Sequence, residues 1–400
     1  MGELRLPLGD YRETVHLCRL CGNCRQAGTT YLPCCPAGER FGFDEYYSRG
    51  KAIIAGQLLK GSLAWSRSLA EVVYRCAVCG ACVEQCPVSY KDYILDVFAA
   101  LREECVERSL VPREVGDFLE NVYKYGNPWA EPRQKRGLWA EGTGIGEYER
   151  GEDFLYYVGC MGSFDTRGIE MARALGEVLL ASGLSFGILG SGETCEGNEV
   201  KLLGERGLFE ILAGENIRRF TGLGVKRVVT LSPHAYNAMK NEYPAYGGNF
   251  EVKHYTQLLA EMVVDGRIDL SKGVEARVTY HDSCFLGRYN QEYEAPRKIL
   301  RSIPGVELVE MERNRENSFC CGGGGGNFYT DFFGSEPNSP ARIRVREALD
   351  TGADILAVAC PVCLTMLDDA AKAEGTEGGM RVMDISEILA SLVLPERGSS

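Results

Sequence analysis

Residues 354–365 read D-I-L-A-V-A-C-P-V-C-L-T, and residues 225–237 read V-K-R-V-V-T-L-S-P-H-A-Y-N. Each opens with an apolar run of strand length, passes through a short segment holding a proline, and continues into a helical pattern. Proline is tolerated in the first turn of a helix, where its missing N–H has no bond to lose, so each stretch predicts strand, turn and helix. The two stretches are one unit written twice. Residues 255–263 and 384–392 echo each other at the end of each copy, and Cys160 and Cys284 each closely follow a strand candidate. From about residue 151 the apolar runs 154–158, 225–231, 278–280 and 355–359 alternate with helical patterns, as α/β units do.

Seventeen cysteines are too many for an ordinary chain of 400 residues. Their odd number, the length of the chain and the repeated C-x-x-C spacing favour metal ligation over disulfides. Cys76, Cys79, Cys82 and Cys86, followed by Pro87, spell C-x-x-C-x-x-C-x-x-x-C-P, the bacterial ferredoxin run. Soft thiolates at two-residue gaps let one tight turn aim several sulfurs at a single cubane, whereas zinc would favour two separated pairs. Cys18, Cys21 and Cys24 repeat the opening, and their fourth member is Cys34 or Cys35, with Pro36 favouring Cys35. In two-cluster ferredoxins the last cysteine of each run serves the other cluster. The expected sets are therefore Cys18, Cys21, Cys24 and Cys86 for one cubane [4Fe-4S] cluster, and Cys76, Cys79, Cys82 and Cys35 for a second. Cys34 is the alternative to Cys35, and the lone Cys105 reads as core.

Cys284, the pair Cys320 and Cys321 followed by Gly322, and the C-P-V-C of Cys360 and Cys363 form a third set. This arrangement resembles the cysteine-rich CCG domains of heterodisulfide reductase, and residues 15–390 are similar in layout to its D-subunit type. The resemblance implies that Cys284, Cys320, Cys321, Cys360 and Cys363 bind one non-cubane [4Fe-4S] cluster. The residues make independent sense of this. Pro361 would open a helix whose positive end favours thiolate at Cys360 and Cys363. Glycines 322–326 would let backbone N–H groups approach sulfur, and they lack the Gly-Lys-Ser/Thr of a phosphate loop. His281 is either a neighbour of this site or a hydrogen-bonded histidine at a strand end.

The first copy is depleted: Cys160 and Cys195 remain, Glu196 stands where Cys321 stands, and Ser232 and Ala235 replace Cys360 and Cys363. A carboxylate, a hydroxyl and a methyl are poor substitutes for soft ligands, so no second non-cubane cluster is expected there. The leftover Cys160, Cys195, Glu196 and His234 read as a decayed, packed site. Their other reading is a tetrahedral set for a zinc-like ion, or a contact for a thiol or acyl substrate.

The expected fold is α+β and multidomain. A helical ferredoxin-type domain with two clusters covers residues 1–125, and an exposed linker rich in proline and glycine covers 126–152. The depleted CCG unit covers 153–270 and the complete one 271–395. A formal charge of −12 speaks against nucleic acid, which is bound through a basic footprint. No apolar run reaches the roughly 18 residues of a membrane span, and the amino terminus lacks a signal-peptide core. The expected location is the cytoplasm, or the periphery of a membrane through a partner.

No flavin or nicotinamide fingerprint is present, which leaves bond chemistry to other subunits. The resemblance implies an electron-transfer subunit of an oxidoreductase complex, with a flavoprotein or another redox subunit as partner. Two alternatives stay open. One is a catalytic heterodisulfide reductase acting at the C-terminal cluster; the other is the iron-sulfur subunit of a flavin-linked hydroxy-acid oxidase, such as glycolate oxidase.

Overall fold

The computed structural model describes residues 7–28, 30–376 and 379–394. Residues 1–6, which form part of the amino terminus read for a signal core, lie outside the described residues.

The N-terminal region is helical, apart from a short antiparallel clip of β1 (Gln26–Ala27) on β2 (Leu32–Pro33). Helix Arg67–Tyr74 starts at Ser66, whose hydroxyl accepts the Leu69 N–H at 3.2 Å, a normal N-cap. Its Leu69 and Val73, four residues apart, pack with Val97, Phe98 and Leu101 of helix Ile94–Glu107. Cys18, Cys76, Cys82 and Cys86 lie against this small core, so helix packing presents the thiols.

Two parallel sheets follow. β3 (Phe154–Tyr157), β4 (Phe186–Gly187), β5 (Arg227–Thr230) and β6 (Glu251–His254) run in the order β4-β3-β5-β6. β7 (Ala276–Tyr280), β8 (Val306–Val309), β9 (Ile355–Val358) and β10 (Arg381–Asp384) run in the order β10-β9-β7-β8. Counted from each unit's own first strand, both orders are 2-1-3-4, which is the predicted duplication in three dimensions. β3 and β9 are buried along their whole length, hence their unbroken apolar runs.

In open parallel sheets, functional groups gather beyond the carboxyl ends of the strands where the order reverses, here between β3 and β5 and between β7 and β9. Cys160, the S-P-H-A segment, Cys284 and the C-P-V-C segment all follow those four strands.

The units also share a polar joint. His254 and Asp384 cap equivalent helices with capping boxes, and the Tyr255 hydroxyl donates to both Asp384 oxygens at 2.8 Å. The connector departs from expectation in part: residues 141, 142, 144, 146 and 147 are exposed, but several others are not. Asn127, Arg136 and Trp139 are buried, and the Trp139 ring meets Tyr156 edge-on at 5.8 Å. The Asn127 side chain bonds four backbone groups between residues 125 and 131, which lets a Pro/Gly-rich segment satisfy its backbone while buried.

Candidate metal centres

The ferredoxin-type cysteines form two groups. Burial raises the Cys18 and Cys24 thiols, and the remaining causes include mutual repulsion with Cys21 and Cys86. Cys21 is exposed, so this group sits at the surface. Burial likewise pushes Cys35 up to about 12, with Cys76 and Cys79 adding to it, and Cys82 responds to Cys79, Cys76 and Cys35. Cys34 turns its thiol to the Cys24 carbonyl at 3.2 Å while staying near Cys35 and Cys79. Cys105 is fully buried among apolar residues, as expected of a core thiol.

Tyr90 stands among Cys18, Cys24, Cys82 and Cys86 with its buried hydroxyl lacking any protein partner. Such an orphan costs about 1–3 kcal/mol unless something accepts the proton, and the sulfur of an iron-sulfur cluster is a fitting acceptor.

The second group abuts the C-terminal unit. The Cys79 and Cys320 thiols lie against each other. A Cβ on Gly324 would lie 2.9 Å from the Ala77 carbonyl oxygen, and one on Gly325 2.7 Å from that of Cys76, so the glycine run lets two backbones touch. This is a larger demand than the predicted aiming of N–H groups, although Gly322 N–H does reach Cys320 Sγ at 3.3 Å. Arg102, itself buried, locks the junction by donating to the carbonyls of Cys76 at 2.7 Å and Gly325 at 3.2 Å. Arg288 Nε donates to the Cys79 carbonyl and Nη1 to that of Ser318, both at 2.7 Å. Its buried Nη2 has no protein partner, and the guanidinium faces Cys79, Cys284 and Cys320.

The five C-terminal cysteines form a chain of thiol contacts: Cys284 to Cys320, Cys320 to Cys321, Cys321 to Cys363 at 3.4 Å, and Cys363 to Cys360. All five are buried. Cys360 is the N-cap of helix Pro361–Ala373, as Pro361 predicted. Burial would raise its thiol, but hydrogen bonds with Cys363 and His234 bring it down to about 5. His281 joins Cys321 and Cys363 within 4.8 Å, and its Nδ1 accepts Arg344 Nε at 3.1 Å, leaving the other ring nitrogen to carry the proton toward sulfur. Five contiguous buried cysteine sulfurs would need a compensating cation once deprotonated as ligands, and soft iron suits that donor set.

In the depleted unit, Cys160, Cys195 and Glu196 hold their ligand atoms within 4.8 Å of one another. Arg136 Nη2 lies 3.1 Å from Cys160 Sγ, and Nη1 pairs with Glu193 at 2.8 Å. Glu193 in turn accepts the N–H groups of Val158 and Gly159. His234 departs from the alternative four-residue ion site, because its ring is paired with Glu199 at 2.6 Å and stands beside Cys360. Cys160, Glu196, Glu199, Ser232, His234 and Tyr329 line a cavity of about 20 Å³, room for about one water. Sequence reading missed Arg136, Glu193 and Glu199, since none belongs to a spaced motif.

Together these features define an iron-sulfur protein. A 4Fe-4S dicluster domain model matches residues 14–90, and a cysteine-rich (CCG) domain model matches residues 154–240 and 278–368. The D subunit of the dihydromethanophenazine:CoB–CoM heterodisulfide reductase of Methanosarcina barkeri is 31% identical over 80% of this chain and 77% of its own length. The chain belongs to this family of iron-sulfur oxidoreductases, which resemble the heterodisulfide reductase D subunit.

The probable iron-sulfur-binding oxidoreductase FadF of Bacillus subtilis is 38% identical over 81% of this chain and 47% of its own length. The EtfAB:quinone oxidoreductase of Syntrophomonas wolfei is 36% identical over 83% of this chain and 48% of its own length. The chain thus spans about half the length of these two relatives. Among the described residues, no helix is long and apolar enough to cross a membrane.

Proposed function

We propose that the chain is the electron-relay part of a larger oxidoreductase, with two cubane [4Fe-4S] clusters and one non-cubane [4Fe-4S] cluster. Cys18, Cys21, Cys24 and Cys86 would hold the first cubane, and Cys35, Cys76, Cys79 and Cys82 the second. Cys284, Cys320, Cys321, Cys360 and Cys363 would hold the non-cubane cluster. When bound, these clusters supply one-electron redox chemistry.

The observation that carries the reading is the Cys79–Cys320 contact, which joins the second group to the third, while Cys21 places the first at the surface. The chain's own residues do the rest. They exclude water from the five C-terminal thiols, place Arg288 between two groups, and aim His281 and Tyr90 at sulfur-rich sites.

Bond chemistry falls to a partner, a flavoprotein or other redox subunit. The name of the S. wolfei relative pairs EtfAB with a quinone, and a lipid-soluble acceptor suits attachment at a membrane periphery through a partner. Heterodisulfide reduction by this chain alone is the weaker reading, because the depleted unit keeps two cysteines and a cavity of about 20 Å³.

The test is anaerobic purification with iron analysis and EPR through a redox titration. About 12 irons per chain and a third signal distinct from two cubanes are expected. Fewer than about eight irons, the content of two four-iron clusters, would end the reading.

A further inference from the structure

The depleted unit has lost cluster ligands yet keeps a closely built polar group turned toward the complete unit. His234 belongs to the S-P-H-A segment, the counterpart of C-P-V-C, and is 5% exposed. Its backbone N–H is capped by Ser232 Oγ at 3.2 Å. Its ring lies against Phe285, the residue after Cys284, with centroids 4.4 Å apart. Nδ1 meets Glu199 Oε1 at 2.6 Å, and the ring also stands beside the Cys360 thiol. Glu199 has no freedom to turn, since Asn198 Nδ2 donates to Oε1 at 3.0 Å and the Gly326 N–H donates to Oε2. The carboxylate, both of whose oxygens already accept other donors, takes the Nδ1–H, and an imidazolium, the form in which both ring nitrogens donate, presents its Nε2–H to the sulfur.

We propose that His234, oriented by Glu199, is a positioning residue that donates a hydrogen bond to Cys360 and sets the reduction potential of the C-terminal cluster. The proposal rests on the five-cysteine cluster reading. It gives the depleted unit a role, since a unit without a cluster of its own supplies the donor for its sister's. A hydrogen bond to a ligand sulfur stabilises the more negative, reduced cluster more than the oxidised one and so raises the potential. Cys160 and Glu196 line the same cavity as His234, but the Cys160 thiol is held by Arg136, which pairs with Glu193.

The experiment is an EPR-monitored redox titration of the full chain, purified anaerobically, with iron counted for each variant. His234→Leu is expected to keep wild-type iron and to lower the third cluster's reduced-to-oxidised ratio at least tenfold at the wild-type midpoint, 59 mV for one electron. His234→Gln, which keeps an N–H donor, should recover most of that shift, and Glu199→Gln should lower the ratio at least twofold. Cubane midpoints should not move. Unchanged iron with less than a twofold change in His234→Leu overturns the proposal and leaves the cluster reading intact. If His234→Leu fails to assemble the third cluster, Glu199→Gln decides, and an unmoved midpoint there overturns the proposal. Wild-type protein with two clusters' worth of iron and no third signal overturns the cluster reading itself.

Discussion

Cys79 of the second ferredoxin run and Cys320 of the CCG run meet thiol to thiol where the two domains join. Clusters held by these residues would feel each other's charge. Two unit charges about 10 Å apart at an effective dielectric near 20 interact by about 1–2 kcal/mol. Reduction of one cluster is therefore expected to lower the midpoint of the other and to broaden its EPR signal. Arg288, whose guanidinium faces both groups, should moderate this repulsion, so Arg288→Met should widen the separation of the midpoints. Independent one-electron curves with no broadening would contradict the contact.

The same junction makes Gly325 intolerant of a side chain. Its φ is +63°, and a Cβ would come 2.7 Å from the Cys76 carbonyl oxygen, a backbone atom that Arg102 holds in place. Gly325→Ala should cost about 1–3 kcal/mol and loosen iron from the second group. Gly352→Ala is the control, having φ +68° but nothing within 4 Å of the added carbon. Iron content and urea midpoints compare the two, and equal iron in both would remove the argument for close approach.

Asp384 makes folding pH-dependent. Burial pushes its carboxyl up to about 7, against hydrogen bonds from Ser386 and Tyr255. In the unfolded chain an aspartate titrates near 3.9, so between these values the folded protein retains a proton that the unfolded chain releases. The stabilising contribution is complete below about 4 and is lost as pH rises through 7. From pH 5.5 to 8 the wild-type urea midpoint should fall relative to that of Asp384→Asn. Parallel profiles would show that Asp384 ionises normally.

The parts of the fold that sequence reading captured are those where one residue type answers one physical demand. Double burial made β3 and β9 continuous apolar runs, β5 and β7 are buried toward their carboxyl ends, and Pro361 marked the start of a helix. β6 and β10 escaped notice because they lie at sheet edges with mixed exposure, and β4 because it is two residues long. Gathering of the ferredoxin-type cysteines was legible in spacing, and that of the five C-terminal cysteines in the resemblance to CCG domains. The groups around them were not, since Glu199 reaches His234 and Gly326, and Arg136 reaches Cys160, through folding alone. The burial of Asn127, Arg136 and Trp139 within residues 126–152 was hidden because proline and glycine report local geometry, while these side chains decide where the segment packs.

Arg136 and Glu193 form a buried pair whose two halves cannot be removed separately without cost. Arg136→Met leaves Glu193 buried without its partner, a loss of about 3–5 kcal/mol, and Arg136→Met with Glu193→Gln should recover part of it. Iron content should stay at the wild-type value, because the group around Cys160 belongs to neither cubane nor to the five-cysteine site. Loss of iron from a stably folded Arg136→Met protein would reassign Cys160 as a ligand.

Cys34 and Cys35 are adjacent and differ in where their sulfurs turn, which makes them the sharpest test of ligand choice. Cys34 Sγ donates to the Cys24 carbonyl, whereas Cys35 accepts the Gly38 N–H at 3.4 Å as the N-cap of helix Pro36–Phe41. A helix N-terminus favours thiolate, and Cys35 has Cys76 and Cys79 beside it. Cys35→Ser should therefore remove or convert the second cubane, seen as iron loss and an altered EPR signal. Cys34→Ser should keep full iron, since a serine hydroxyl can still donate to the carbonyl that the thiol now bonds. If the two variants exchanged these outcomes, the chain would enter the second cluster one residue earlier, and Pro36 would no longer follow the ligand as it does in the run ending at Cys86 and Pro87.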